Sequence, residues 1–99
     1  MNISYYAIFQ YDDDGICISF PDIPPCLTCA ENENEGLKMA KEALDLYLHR
    51  LKINELPTTK FDNSFRLEYN QKAVKIEVEM ESKEGQLFSK NEVIEFDYL

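Results

Sequence analysis

Basic residues are scarce in this 99-residue chain, which has 10 Lys and Arg against 19 Asp and Glu and a formal net charge of −9. Proteins bind nucleic acid mainly by neutralising phosphates with Lys and Arg. We therefore expect no direct nucleic-acid binding by this chain alone. An acidic surface does suit a basic protein partner, because complementary fields speed encounter. The alternative is that the acidity only keeps a small protein soluble.

Apolar runs of membrane-spanning length are also missing, and the first residues carry no basic segment typical of a signal peptide. We therefore expect a cytoplasmic protein that does not associate with membranes. The length and the 44% hydrophobic content predict one folded domain, residues 1–99, with a core of its own.

Catalytic motifs are absent as well. The chain has a single histidine, His49, and neither a phosphate-binding glycine loop nor a nucleophile elbow. Asp12, Asp13, Asp14 and Asp22 suggest a magnesium site, but metal-dependent nucleases draw carboxylates from several elements. Three aspartates in one turn are more typical of a solvated hairpin tip. We predict a protein without enzymatic activity.

Cysteine is present three times, at positions 17, 26 and 29. Cys26 and Cys29 have the spacing of a zinc-ligand pair, but there is no second pair, and structural zinc takes four ligands. We predict no metal, no other cofactor and three free thiols.

Three strands are predicted at the start of the chain. Residues 5–11 are rich in aromatic and branched side chains on both faces, as in a strand away from the sheet edge. Asp14-Gly15 indicates a hairpin, and residues 16–20 alternate between apolar and smaller side chains. Pro24 and Pro25 cannot lie within a central strand, so they turn the chain before a third strand at residues 27–30. The result is an antiparallel meander.

A long amphipathic helix follows. Asn32 is a good N-cap, and Glu35 completes a capping-box-like pattern. Apolar residues then recur at helical spacing; they are Leu37, Ala40, Ala43, Leu44, Tyr47, Leu48 and Leu51. The small side chains of Ala40 and Ala43 let this helix lie close to a sheet.

Residues 73–80 alternate cleanly, with Val74, Ile76, Val78 and Met80 on one face. Residues 82–85 are predicted to turn and 92–99 to form a final strand, whereas 60–70 fit either a strand or an ordered loop. The fold class is α+β, with the helix on one face of the sheet. If the strand at 73–80 were parallel to the first strand, the right-handed crossover rule would fix the arrangement. The other face stays open unless the C-terminal third or a partner covers it.

The stretches YAIF (6–9), DGICISFPDIPPC (14–26) and AKEALDLYL (40–48) together resemble the N-terminal domain of HicB-type antitoxins. The resemblance covers about residues 4–57, residues 73–80 resemble the family's later strand, and 81–99 form a divergent extension. The positions that carry the motif are Tyr6, Phe20, Pro21, Pro24, Thr28, Ala40 and Ala43.

This resemblance implies a partial RNase-H-like domain without catalytic carboxylates, built from the three-stranded meander, a crossover helix and one or two further strands. It also implies a protein that neutralises a HicA-like toxin, a small basic mRNA-cleaving enzyme, and that forms dimers or higher oligomers. Two features depart from the family pattern. Pro25 stands where the family has glycine, and residues 81–99 show no evident DNA-binding domain. Autorepression by this chain alone is therefore not expected.

The predicted partner-binding residues lie in the hairpin and the proline turn, at Asp12, Asp13, Asp14, Asp22 and Ile23, with a second patch at Glu42 and Asp45 on the helix. Phe20, Pro21, Pro24 and Thr28 are interpreted as turn architecture. Two alternatives remain open at this point. One is a solitary HicB-like homo-oligomeric module without a toxin, and the other is an RNase-H-like nuclease.

Overall fold

A computed structural model describes residues 1–60 and 66–90 of the chain. Its elements, in order, are β1 (Asn2–Asp12), β2 (Gly15–Ser19), β3 (Leu27–Ala30), α1 (Glu33–Leu48), a 3₁₀ turn (Ile53–Glu55), β4 (Gln71–Lys83) and β5 (Gln86–Ser89). The predicted α+β class and the three-stranded meander are confirmed.

The five strands form one sheet in the order β3-β2-β1-β4-β5, and each neighbouring pair is antiparallel. β1 lies at the centre, which agrees with its apolar side chains on both faces. β4 also pairs antiparallel with β1, for example Tyr5 with Ile76. The parallel arrangement considered for residues 73–80 is therefore wrong.

α1 packs on the sheet face that carries Phe9 and Ile18, through the fully buried side chains of Ala40, Leu44 and Leu48. Gly36 lets the helix lie close to the sheet, because a Cβ there would lie 2.9 Å from Cε2 of Phe9. This contact explains a glycine in a helix, where it costs about 1 kcal/mol relative to alanine. The same contact rotates Leu37 outward.

The predicted apolar stripe is wrong at Leu37, which is 41% exposed. Leu51 lies beyond the last residue of α1, although it still packs against the core. The start of the helix is as predicted, because the Asn32 side chain accepts a hydrogen bond from the Glu35 backbone N–H at 2.9 Å. The Glu35 carboxylate accepts in turn from the backbone N–H of Glu31, one residue before the N-cap.

The C-terminal part differs more from the prediction. β4 is longer than residues 73–80, although Ile76, Val78 and Met80 face the core as expected. The predicted turn ends at Gly85, and it leads into β5, which the sequence did not predict. Residues 66–70 are not a strand, and the predicted strand at 92–99 lies outside the described residues.

Candidate partner-binding surface

The β1–β2 hairpin tip lies beside the N-terminus of α1. Because β2 and β3 are antiparallel, Ile16 at the start of β2 pairs with Ala30 at the end of β3, and α1 begins three residues later. Two groups of carboxylates therefore lie at the same end of the molecule. We call this set of six side chains the acidic end; it consists of Asp12, Asp13, Asp14, Glu31, Glu33 and Glu35.

Gly15 makes this arrangement possible. Its φ angle is 143°, and a Cβ at this position would lie 2.9 Å from the carbonyl oxygen of Ala30. A glycine without a side chain lets the end of β3 approach the hairpin. A groove between them is lined by Asp14, Glu31 and Glu35 among others.

One cation, Lys72 of β4, pairs with the acidic end. Its Nζ lies 2.7 Å from Oε1 of Glu33, and the Tyr11 hydroxyl donates to the same oxygen at 2.8 Å. The hydrogen bond from Lys72, and then that from Tyr11, lower the pKa of Glu33. Within residues 1–60 and 66–90, the other five carboxylates form no ion pair. The acidic end therefore presents uncompensated negative charge to the solvent.

The proline turn, in contrast, is built into the core. Phe20 and Ile23 are each 1% exposed, and Cys26 is 5% exposed. Backbone hydrogen bonds from Ile23 N to Phe20 O and from Cys26 N to Ile23 O close two successive turns at 2.9 and 2.8 Å. The side chain of Ile23, which the sequence assigned to partner binding, is not available to a partner in this structure.

The remaining motif residues around this turn are more accessible. Pro24 is exposed, whereas Pro21, Thr28 and Tyr6 are half-buried. Ala40 is buried and Ala43 is half-buried, both against the core. These positions fit the interpretation of the motif as architecture.

Asp22 holds the chain that follows the helix. Its Oδ1 accepts a hydrogen bond from the backbone N–H of Lys60 at 3.0 Å, while its Oδ2 is buried without a hydrogen-bond partner. Nearby, the Tyr5 hydroxyl donates to the carbonyl of Pro57 at 2.6 Å. Burial, and then the charge of Asp22, raise the pKa of Tyr5. Asp22 and Tyr5 thus hold the two ends of the 57–60 segment against the sheet.

The predicted second patch is not a continuous acidic surface. Glu42 is half-buried, and Asp45 is only 4% exposed, with its Oδ1 buried and without a hydrogen-bond partner. Asp45 lies in a pocket that also contains Lys41 and Lys90. Glu77 and Glu79 line the same pocket, and Lys90 pairs with Glu79 at 3.2 Å, so the charge at this site is mixed and the site is separate from the acidic end.

The acidic end includes three residues that the sequence did not assign to partner binding. In the sequence, Glu35 indicates only the start of the helix, and Glu31 and Glu33 carry no assignment. Their position beside the hairpin follows from the antiparallel pairing of β2 and β3. The predicted meander indicates that pairing, whereas the register that brings these residues together comes from the structure.

Two general features bear on function. Across the described ranges, no helix is long and apolar enough to span a bilayer. The same residues contain no cluster of three or more side chains arranged to hold a metal ion.

No family model matches the chain. Over 63 residues it is 36% identical to Antitoxin HicB 2 of Photorhabdus laumondii, an alignment that covers 60% of this chain and 45% of that protein. The chain thus matches less than half the length of that relative. Its fold is shared with a chain of a toxin–antitoxin complex from Streptococcus pneumoniae, with a TM-score of 0.61, 22% identity, and coverage of 80% of this chain and 70% of that one. The resemblance to HicB-type antitoxins is confirmed.

Proposed function

We propose that this protein is an antitoxin that neutralises a small basic HicA-type toxin by forming a direct complex with it. The observation that carries the proposal is the sequence similarity to a HicB antitoxin. The shared fold with a chain of a toxin–antitoxin complex supports it. A binding role of this kind is non-enzymatic.

The acidic end is the surface that we propose for the first contact with the toxin. An mRNA-cleaving enzyme must attract phosphates, so its substrate-binding surface is expected to be basic. The acidic end has six carboxylates, and one of them is paired to a lysine. It therefore offers a negative surface that can compete with RNA phosphates for the toxin. Opposite fields of this kind accelerate association and favour the correct partner.

The same proposal extends to the fold family, the location and the assembly of the protein. We propose that the sheet and helix form a partial RNase-H-like domain that has no catalytic role. The protein acts in the cytoplasm, where its mRNA-cleaving partner finds its substrate. It forms a homodimer or higher oligomer.

A second candidate function is a homo-oligomeric module without a toxin. The sheet face opposite α1 favours it, because Leu27 of β3 is 65% exposed there and Tyr6 of β1 is half-buried on the same face. Exposed apolar side chains grouped on one face are typical of interaction surfaces. If this second function is correct, the protein should self-associate to the same extent with and without the candidate toxin.

Size-exclusion chromatography with light scattering distinguishes the two functions. The full-length protein is analysed alone and mixed with the product of any gene for a small basic protein that lies beside its own. A stable mixed complex that also abolishes mRNA cleavage by the basic protein supports the antitoxin function. A homo-oligomer that ignores the basic protein contradicts it and supports the second candidate.

A further inference from the structure

Two of the three thiols lie side by side on adjacent strands. Cys17 of β2 is the direct antiparallel partner of Cys29 of β3, and both side chains are exposed and free. Cys26, three residues before Cys29, is buried. The sequence spacing suggested a pair of Cys26 and Cys29. The strand register instead places Cys17 beside Cys29.

The register satisfies the geometry of a disulfide. Directly opposed residues in an antiparallel pair have Cα atoms about 4.5 to 5.5 Å apart and side chains on the same face. This lies within the range of about 4.4 to 6.8 Å that disulfides require. The two cysteines influence each other electrostatically, since Cys29 contributes to raising the pKa of Cys17.

The surroundings of the pair are strongly acidic. Cys17 and Cys29 line the same groove as Asp14, Glu31 and Glu35. Partial desolvation, and then the charges of Asp12 and Asp14, raise the pKa of the exposed Cys17 thiol and so reduce its thiolate fraction near neutral pH. The same charges repel an anionic reagent such as oxidised glutathione and attract a cationic one.

We propose that Cys17 and Cys29 form a reversible dithiol site that reacts with low-molecular-weight disulfides, with a preference for cationic ones. A thiolate of the pair attacks one sulfur of the reagent and displaces the first small thiolate, which leaves a mixed disulfide on the protein. The second cysteine, as thiolate, attacks the protein sulfur of that bond and displaces the second small thiolate. The two protons lost by the cysteines are taken up by the two released thiolates. The protein is oxidised by two electrons, and the reagent is reduced to two thiols.

The reaction is tested on the reduced full-length protein with two probes, cystamine, which is cationic, and oxidised glutathione, which is anionic. Intact mass spectrometry should show the loss of two hydrogens, and peptide mapping should locate the bond between residues 17 and 29. Cystamine should react several-fold faster than oxidised glutathione at low ionic strength. Added salt should reduce this difference, because it screens the carboxylates.

Three variants serve as controls. Cys26→Ser should form the same bond as the unchanged protein, whereas Cys17→Ser and Cys29→Ser should stop at a mixed disulfide with the probe. The proposal is overturned by a bond that includes Cys26, by disulfide-linked dimers alone, or by mixed disulfides that persist in the unchanged protein. Equal rates for the two probes at low salt would overturn the preference for cations. None of these outcomes depends on the presence of a toxin.

Discussion

The two turns of the meander differ in what their residues do. The turn between β1 and β2 exposes Asp12, Asp13 and Asp14 to solvent, whereas the turn between β2 and β3 buries Phe20 and Ile23 almost completely. The second turn carries the more specific sequence motif. Its specificity therefore reflects packing, while the less distinctive acidic turn is the one available for contact. In this chain, the turn that carries the specific motif and the turn that exposes its side chains are therefore adjacent but different.

The largest effect is expected from Ile23→Ala. Removing a buried isoleucine side chain should lower the free energy of unfolding by about 2 to 5 kcal/mol, because it leaves a cavity between the turn and the sheet. Chemical denaturation measures the loss. The matched change Asp13→Ala in the exposed turn should alter stability by about 0.5 kcal/mol or less. Similar losses at both positions would remove the distinction between the turns.

The next largest effect is expected at Gly15, a position of the acidic turn that packs against the end of β3. Gly15→Ala should destabilise the protein by roughly 1 to 3 kcal/mol, because the φ angle of 143° disfavours a side chain and the new Cβ meets the Ala30 carbonyl. Gly85→Ala is the control, because φ is also positive there but no atom lies within 4 Å of the new Cβ. The loss at Gly15, measured by thermal unfolding, should exceed that at Gly85. An equal loss would show that the contact with Ala30 is unimportant.

Charge reversal in the acidic turn should affect binding and leave the fold intact. The triple change of Asp12, Asp13 and Asp14 to Lys should slow association with the proposed toxin partner by about tenfold or more at low ionic strength. Stopped-flow or surface plasmon resonance measures the rate, and added salt should slow the unchanged protein in the same way.

The control for this experiment alters the net charge equally at the other end of the sheet. Glu77, Glu81 and Glu84 are exposed residues of β4 and the turn that follows it. Changing all three to Lys should slow association much less than the triple change in the hairpin. Equal effects would mean that only the total charge matters.

The smallest effect concerns alkaline pH. Burial raises the pKa of Cys26 from 9.0 to about 11. Between these values the unfolded chain releases the thiol proton and the folded protein retains it, so stability falls as pH rises above about 9. We expect this thiol to account for a loss of about 1 kcal/mol by pH 10, so the variant Cys26→Ala should lose less stability over the same pH range. Identical pH dependence of the two proteins, followed by denaturation, would contradict the buried thiol as its source.

Local signals predicted much of this fold. Asp14-Gly15, Pro24-Pro25 and Asn32 mark real turns and a real helix start, because each acts through its own backbone and its near neighbours. The burial of Ile23 was missed, since alternation along a strand says nothing about which way a turn residue points.

The other differences come from contacts between distant elements. The outward rotation of Leu37 depends on Phe9 meeting Gly36. The burial of Asp45 follows from the position of α1 beside β4, which periodicity along the helix does not reveal. The acidic end likewise required the register of β2 and β3. Distances along the chain could not provide this information.

The central strand of the sheet also has a consequence for the order in which the chain folds. β1 pairs on one side with β2, which follows it after a tight turn, and on the other side with β4, where Asn2 meets Glu79 near the far end of the chain. Closing such a long loop is slow relative to forming a hairpin or a helix. During synthesis the meander and α1 can therefore form first, while the second edge of β1 waits for residues that the ribosome has not yet released.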